Sequence, residues 1–593
     1  MIDIPNSLSP PRRLTFGITG HRLNRLCAEN VTLLEQAVDD FFARVAVASG
    51  TDRSINFRIV SALAEGADAI LADHAIRKGW QLDVVLPFER DVYADDFTET
   101  AARQDYERHL AASYAVMELQ GHRDDADGAS AAYERAGRVV LSQSDILIAL
   151  WDGGPARGRG GAQQIIAEAV LAGIPVVHID PAARHAPMLL WNGLDEVDLG
   201  QQTLETVARH DLSTLPDLIE RLTELPSAPT ESAMLRKFEN DRLPRWNALI
   251  AYPLLLTILG VRRLRLSDLR RPKDDGKIAS LPVSCATSAK FALDVSALLS
   301  ERFARADAIA TRTAQVFRSV YVTNFALAAM AVVLSLLSLA LPAAAKPALI
   351  TLELLTIGAI LALTRAGNRA GWHRRWLDNR MLAERVRCLA ISSQLGDLNL
   401  RVGGDIAIGW VDWYVRATAR QVGLPSACID ADFLRCVRAD LTDLIEAQIA
   451  YLSVDAHRMH WLEHRLHTLG TLLFGLTGLT CVGMLIFKLT QAAVGGMEEV
   501  AHSLTIAATI VSASLPAIGA AIYGIRMQGD FAGIAERSHA LSDRLSRMRD
   551  VIAQDDLSFD TLRRRIRRVA DLLADDLTSW LQTYHARPLV LPG

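Results

Sequence analysis

The chain has 593 residues, enough for three or four domains of ordinary size. Its net charge of -5 and pI near 6.3 exclude the basic footprint of a nucleic-acid binder. A mean hydropathy of +0.16 is high for a water-soluble protein, and the apolar residues are concentrated in the second half. Six cysteines (Cys27, Cys285, Cys388, Cys428, Cys436 and Cys481) are scattered with no C-x-x-C pair. They read as reduced cysteines without a disulfide framework or a metal spacing. The start, MIDIPNSLSPPRR, has no apolar segment of signal-peptide type, so a cytoplasmic location is expected for the soluble part.

Residues 12–225 read as one α/β domain. A first strand at 13–19 runs into the turn Gly17-Ile18-Thr19-Gly20-His21-Arg22, and an amphipathic helix follows at 33–45. A second strand at 58–63 ends in Ala64-Glu65-Gly66-Ala67-Asp68, which opens another helix. A third, at 82–86, ends at Pro87-Phe88 and leads to Tyr93, Asp95, Asp96 and Phe97. The apolar run 146–151 is broken by Asp152-Gly153-Gly154-Pro155, and the loop continues through Gly158, Gly160 and Gly161. Helical periodicity begins near Gln163, Gly173 closes the helix, and 176–179 forms the next strand. Strands alternating with helices predict a Rossmann-like parallel sheet covered on both faces. Glycine-bearing turns after its strands let backbone N–H groups approach an anion, and a helix N-terminus adds partial positive charge.

The ordered run GITGHR, LAEGADAILADHAIRKGW, LPFERDVYADDF and SDILIALWDGGPARGRGGAQQII resembles the SLOG family, across about residues 12–195. These are Rossmann-like domains related to DprA and to the LOG phosphoribohydrolases, which hydrolyse nucleotide derivatives or sense them. The hydrolytic members carry P-G-G-x-G-T-x-x-E. Aligned on Gly161, the threonine position is Ala162 and the glutamate position Ile165, which cannot exchange a proton. Glu168 lies one turn further on. The resemblance therefore implies a pocket that binds a nucleotide-derived ligand, such as a cyclic nucleotide or an ADP-ribose derivative, without catalysis.

The candidate ligand-binding residues are Gly17, Thr19, Gly20, His21, Arg22, Glu65, Gly66, Asp68, Trp151, Asp152, Gly153, Gly160, Gly161 and Gln163. Thr19, Gly20 and the Gly160-Gly161 backbone suit phosphate oxygens; His21 and Arg22 offer donors or charge, or form a surface pair. Glu65 and Asp68 suit ribose hydroxyls or a base, with helix capping the alternative for Asp68. Trp151, Tyr93 and Phe97 either stack on a base or belong to the core. Asp145 reads as a turn residue.

Residues 226–300 form a connector. The apolar stretch 246–261 is interrupted by Pro253 and followed by RRLRLSDLRRPK; it suits an interfacial segment or a buried helix, and is short for a span. Four membrane-length apolar runs follow, at 320–342, 348–364, 468–487 and 504–525. They pair into two hairpins, in helical modules at 301–400 and 448–555, joined by a helical linker at 401–447. A C-terminal helix and tail fill 556–593. Arginines flank the outer ends of the hairpins, so the positive-inside rule places both termini in the cytoplasm, with a multi-pass protein in the inner membrane.

The unit helix, span, span, helix occurs twice. WLDNRMLAER (376–385) follows the second span and GDFAGIAERS (529–538) the fourth, each with an Asp at the same distance before Ala-Glu-Arg. This organisation resembles the SLATT-type two-span effector modules found with SLOG domains in bacterial defence systems. The resemblance implies a homo-oligomeric membrane effector that a nucleotide second messenger gates toward pore formation or membrane disruption. A membrane-anchored nucleotide hydrolase and a nucleotide-regulated ion channel remain the alternatives. Pore or gating candidates are Glu353, Ser512, Ser514 and Pro516, with Ser503 beside them; Trp410 to Arg416 either pack or meet headgroups. The histidines show no metal constellation.

Overall fold

The computed structural model describes residues 9–26, 31–48, 55–156, 158–192, 202–270, 289–398, 409–494, 498–585, 589 and 591. The first part of the chain alternates as expected. It runs β1 (Arg13–Gly20), α1 (Val31–Ala48), β2 (Asn56–Ser61), α2 (Ala67–Arg77) and β3 (Gln81–Leu86). It continues through α3 (Arg90–Ala94), α4 (Thr100–Ala112), β4 (Ala115–Leu119) and α5 (Ala126–Gln143). Next come β5 (Ile146–Leu150), α6 (Ala162–Leu171), β6 (Val176–Ile179), β7 (Met188–Leu190), β8 (Arg209–Asp211) and α7 (Leu215–Thr223). Strand β4 escapes sequence reading because AVMEL is short and carries a glutamate among its apolar residues.

The sheet has nine strands in the order β8-β7-β6-β5-β1-β2-β3-β4-β9, where β9 is Ala427–Ile429. The core strands are parallel, and β7 and β8 are antiparallel additions at one edge. The chain winds outward from β1 to β4 on one side and from β5 to β6 on the other, so the topological switch lies between β1 and β5. Alternate residues face opposite sides. Leu14, Phe16 and Ile18 join the core under α1, α2 and α7. On the other side Val60, Val85, Met117 and Leu119 share a core with α5 and, unexpectedly, with helices from the end of the chain.

The helical part begins with α8 (Pro229–Asn240), α9 (Ala251–Ile258) and α10 (Leu266–Leu269). The two helical units follow. The first is α11 (Ala289–Leu337), α12 (Lys346–Ala370) and α13 (Trp372–Ser392); α14 (Trp410–Val422) and β9 intervene. The second is α15 (Ala431–Val494), α16 (Glu498–Gly529) and α17 (Phe531–Gln554), and α18 (Phe559–His585) closes the chain. The expected polar helices and spans are fused: α15 runs for 64 residues, about 96 Å at ~1.5 Å per residue. The first helix ends at Leu337, short of the expected 342.

Among the described residues four helices are long and apolar enough to cross a membrane, and little of their most apolar stretches is buried within the protein, none in α15. Leu472, Phe474, Leu479, Leu485 and Leu489 are all exposed on α15. So large an uncovered apolar surface is what a lipid-facing helix presents.

Both units break between their last two helices at a left-handed residue, Gly371 (φ 62°) and Asp530 (φ 47°). The breaks fall at different distances from the Ala-Glu-Arg motif, so the matching aspartates differ in setting. Asp378 lies inside α13 and accepts from the Trp410 indole at 2.8 Å, whereas Asp530 is itself the break and pairs with Arg537. Trp410 is thus buried and packs with its ring tilted against Phe238, so packing is the alternative it takes. The segment expected as an all-helical linker supplies β9 to the sheet. Cys436 is disulfide-bonded, against the expectation of six reduced cysteines.

Candidate functional site at the strand ends

The carboxyl ends of β1 and β5 open at the switch point, where doubly wound sheets place ligands. Gly20 pairs with Leu150, and the next residue, His21, donates its N–H to the Leu150 carbonyl at 3.0 Å. The β2–α2 turn packs directly on this one. The Ala67 N–H donates to the His21 carbonyl at 3.1 Å, and a Cβ on Gly66 (φ 109°) would sit 2.7 Å from that oxygen. Gly20 is equally constrained, because a Cβ there would meet Ala67 at 2.4 Å. The turns GITGH, LAEGAD and WDGG therefore converge as expected. Thr19 and Glu65 are half-buried at this mouth. Gly17 is mid-strand, buried against Ser144, away from the mouth.

Asp152 anchors one side. The Arg25 guanidinium lies 2.5 Å and His21 Nε2 2.8 Å from its carboxylate, and Gly154 N–H donates to it at 2.8 Å. Burial alone would raise this carboxyl, but the Gly154 N–H, His21 and Arg25 outweigh it and bring it to about 2. Asp68 behaves oppositely. It is buried, accepts from Ser61 Oγ at 2.8 Å and Ala62 N–H at 3.1 Å, and burial pushes it up to about 6 despite those bonds. Its role as an α2 cap is not adopted: α2 has no side-chain N-cap bond.

Beside Asp68 lies a cluster that sequence reading only half located. Asp96, nearly buried, accepts from Tyr133 at 2.5 Å, Arg123 at 2.6 Å and Arg22 at 3.3 Å. The Arg22 guanidinium also covers the Tyr133 ring at 5.4 Å. Asp96 stood in the quoted motif, but Arg123 and Tyr133 come from a loop and a helix with no distinctive spacing. Tyr93 and Phe97 are fully packed in the core, edge to face at 5.5 Å.

The glycine loop is held by its own helix. Gln163 accepts from the Ala156 N–H at 2.7 Å, and Gln164 from the Gly160 N–H at 2.9 Å while donating to Glu134 at 2.8 Å. Gly160 (φ 77°) approaches the α5 backbone so closely that a Cβ would lie 2.5 Å from the Glu134 nitrogen. Gly153 (φ 77°) is exposed with open space around it. Gly161 is the N-cap of α6 and brings no side chain to its first-turn N–H groups. Trp151 is buried; its indole donates to the Gly154 carbonyl at 2.8 Å and its ring packs near His178 at 5.3 Å. It fixes the loop, and packing in the core is the alternative it takes.

Ile165 is buried and faces Gly137 of α5, where a Cβ would lie 2.6 Å from its Cδ1. Glu168 pairs with Arg138 across α5 and α6. Among the described residues no group of three or more His, Cys, Asp or Glu could hold a metal.

At the opposite end of the sheet, Asp145 is no simple turn residue. Arg420 of α14 forks onto it at 2.9–3.0 Å, both side chains are 4% exposed, and the Thr15 N–H adds a bond at 3.0 Å. Arg58 and Asp83 form a second buried pair, and Gly423 approaches the Arg58 guanidinium too closely for any Cβ.

In the apolar helices, Glu353 is half-buried on α12 and Ser503 is exposed. Ser512 donates to the Thr509 carbonyl of its own helix at 3.2 Å. Ser514 is buried with no hydrogen-bond partner among the described residues, and Pro516 lies inside α16. Asn324 and Thr364 join α11 to α12 at 2.9 Å.

No protein-family model matches the chain, and no curated protein matches it. What defines the protein is its own architecture: an α/β sheet with a glycine-lined mouth, sharing one face with a helical region that contains four apolar helices of membrane-crossing length.

Proposed function

We propose that this protein is a SLOG-like nucleotide sensor fused to SLATT-like membrane modules, a defence or stress effector in the inner membrane. A nucleotide-derived second messenger enters the mouth between β1 and β5. Its phosphates meet the open first turn of α6, which the glycine loop positions, with Arg22 supplying charge. Binding favours a homo-oligomeric assembly that opens or disrupts the bilayer. This requires only different affinities for two states of the protein.

One observation carries the coupling. The sheet is extended by β9, and one residue later begins the helix α15, which continues unbroken into the third apolar stretch. The same sheet face packs on α15, α17 and α18. A shift of the strand ends is thereby transmitted into the helices without a flexible linker. The buried, apolar Ile165 at the hydrolases' glutamate position favours binding over hydrolysis, since it cannot exchange a proton.

The test is dye release from vesicles holding the purified protein, challenged with cyclic and ADP-ribose-type nucleotides that are chromatographed before and after. Release with intact nucleotide, lost in Gly161→Arg, is the expected result. Nucleotide consumed without release overturns it in favour of an anchored hydrolase. Steady ion current without cell arrest would mark a regulated channel.

A further inference from the structure

A cavity of about 420 Å³ lies within the helical region, lined by α9, α10 and the segment between them, both helical units and α18. Six arginines line it against four carboxylates, so it is net cationic. One of the four, Asp576, has its carboxyl pushed up by burial. Arg318 is held between two rings, 5.3 Å from Tyr252 and 5.1 Å from Trp376, its planar guanidinium fixed in place. Arg262 and Arg380 have carboxylate partners in Asp268 and Glu384. Arg458 is half-buried in the wall and makes no hydrogen bond or ion pair among the described residues.

Gathering guanidinium groups in a partly dehydrated cavity is unfavourable until an anion joins them. A phosphate, with several acceptor oxygens and up to two charges, matches fixed guanidinium forks better than a carboxylate. The volume suits a small polar group such as a headgroup or a mononucleotide.

The cavity's position narrows the source. Arg318 precedes the uncharged run that begins at Val320. The helix α9 covers the cavity with Tyr252, Pro253 and Leu256 and turns Leu254 and Ile258 outward, the latter 80% exposed. Trp246 and Leu266 beside it are also largely exposed. An apolar, tryptophan-bearing face next to arginines is the pattern of an element lying at a lipid headgroup layer.

We infer that this cavity is a second ligand site, taking a phosphate-bearing group: the headgroup of an anionic phospholipid or a soluble phosphate compound. Because both helical units contribute to its wall, the occupant ties them together. Glu384 also lines a second cavity of about 420 Å³ that reaches Ser142 and Ser144 beneath the sheet, so occupancy bears on the contact between sheet and helices.

The test uses the full chain in nanodiscs of pure phosphatidylcholine, the same with added inorganic phosphate, and nanodiscs containing phosphatidylglycerol. Thermal unfolding is followed for the native chain, for Arg458→Gln, and for Arg265→Gln/Arg458→Gln; Arg549→Gln, outside the cavity, is the control. Circular dichroism confirms that each variant is folded. Phosphatidylglycerol is expected to raise the native midpoint by several degrees, with most of the rise lost in the two cavity variants and kept in Arg549→Gln. A rise with inorganic phosphate alone, equally lost in the variants, assigns the site to a soluble phosphate compound. No rise under either condition, or a rise the cavity variants keep in full, overturns the proposal. Nucleotide-triggered release is read separately, so its failure leaves this result intact.

Discussion

The two ends of the sheet are built on opposite principles. Toward the amino ends of the strands, charge is buried in ion pairs: Asp145 with Arg420, and Arg58 with Asp83. At the carboxyl ends, Gly153 is exposed, Arg22 is half in solvent, and Asp68 is buried with bonds but no charged partner in contact. The first end fastens the sheet to α14 and so to the helical region. The second keeps groups that a ligand can still recruit. Anchoring and recognition are separated by the length of the strands, so changes at one end should move stability and at the other binding.

The sharpest break of this contrast is Asp145→Ala, which leaves Arg420 buried without its carboxylate. A loss of about 3–5 kcal/mol is expected in denaturant or thermal unfolding. A loss below 1 kcal/mol would mean that water reaches the anchoring end.

Asp68→Asn tests the other end with the reverse sign. The carboxyl is raised in the folded protein from its usual 3.8 to about 6. The folded state therefore holds more protons than the unfolded one between those values, and native stability falls as pH rises through that window. The variant escapes this fall, becoming more stable by up to about 3 kcal/mol above pH 6 and matching the native chain near pH 4. Unfolding midpoints across pH 4–8 check it; parallel curves would refute the raised value.

Gly160→Ala forces a side chain into a left-handed residue and against the Glu134 backbone. It should cost about 1–3 kcal/mol and abolish nucleotide-triggered release. Retained release would remove this loop from the site. The smallest stability effect is expected for Arg22→Gln: the arginine is 49% exposed in its pair with Asp96, and stability should move by less than ~1 kcal/mol. Nucleotide affinity, measured by calorimetry, should still fall several-fold. Equal affinity would assign Arg22 to the surface alone.

Much of this was legible in residues 12–195 and in the apolar runs. Strands ending in glycine turns announce themselves because only glycine tolerates the φ of Gly66 or Gly160, and a membrane-length uncharged run needs no context to be recognised. The convergence of GITGH, LAEGAD and WDGG follows from the parallel order of their strands. Less visible were Arg123 and Tyr133, which reach Asp96 from elements without a spacing signature.

Local sequence thus determined where strands, turns and apolar helices lie, since propensity, glycine conformation and hydropathy act over a few residues. Tertiary structure alone decided what they join. ACI (427–429) is too short to declare itself a strand, and becomes one because the open edge of β4 offers it hydrogen bonds. Asp145 and Arg420, 275 residues apart, become a buried lock only when α14 docks under the sheet. The sheet and the helical region share a core for the same reason: one face of β2, β3 and β4 remained apolar, and the helices with matching faces come from the far end of the chain.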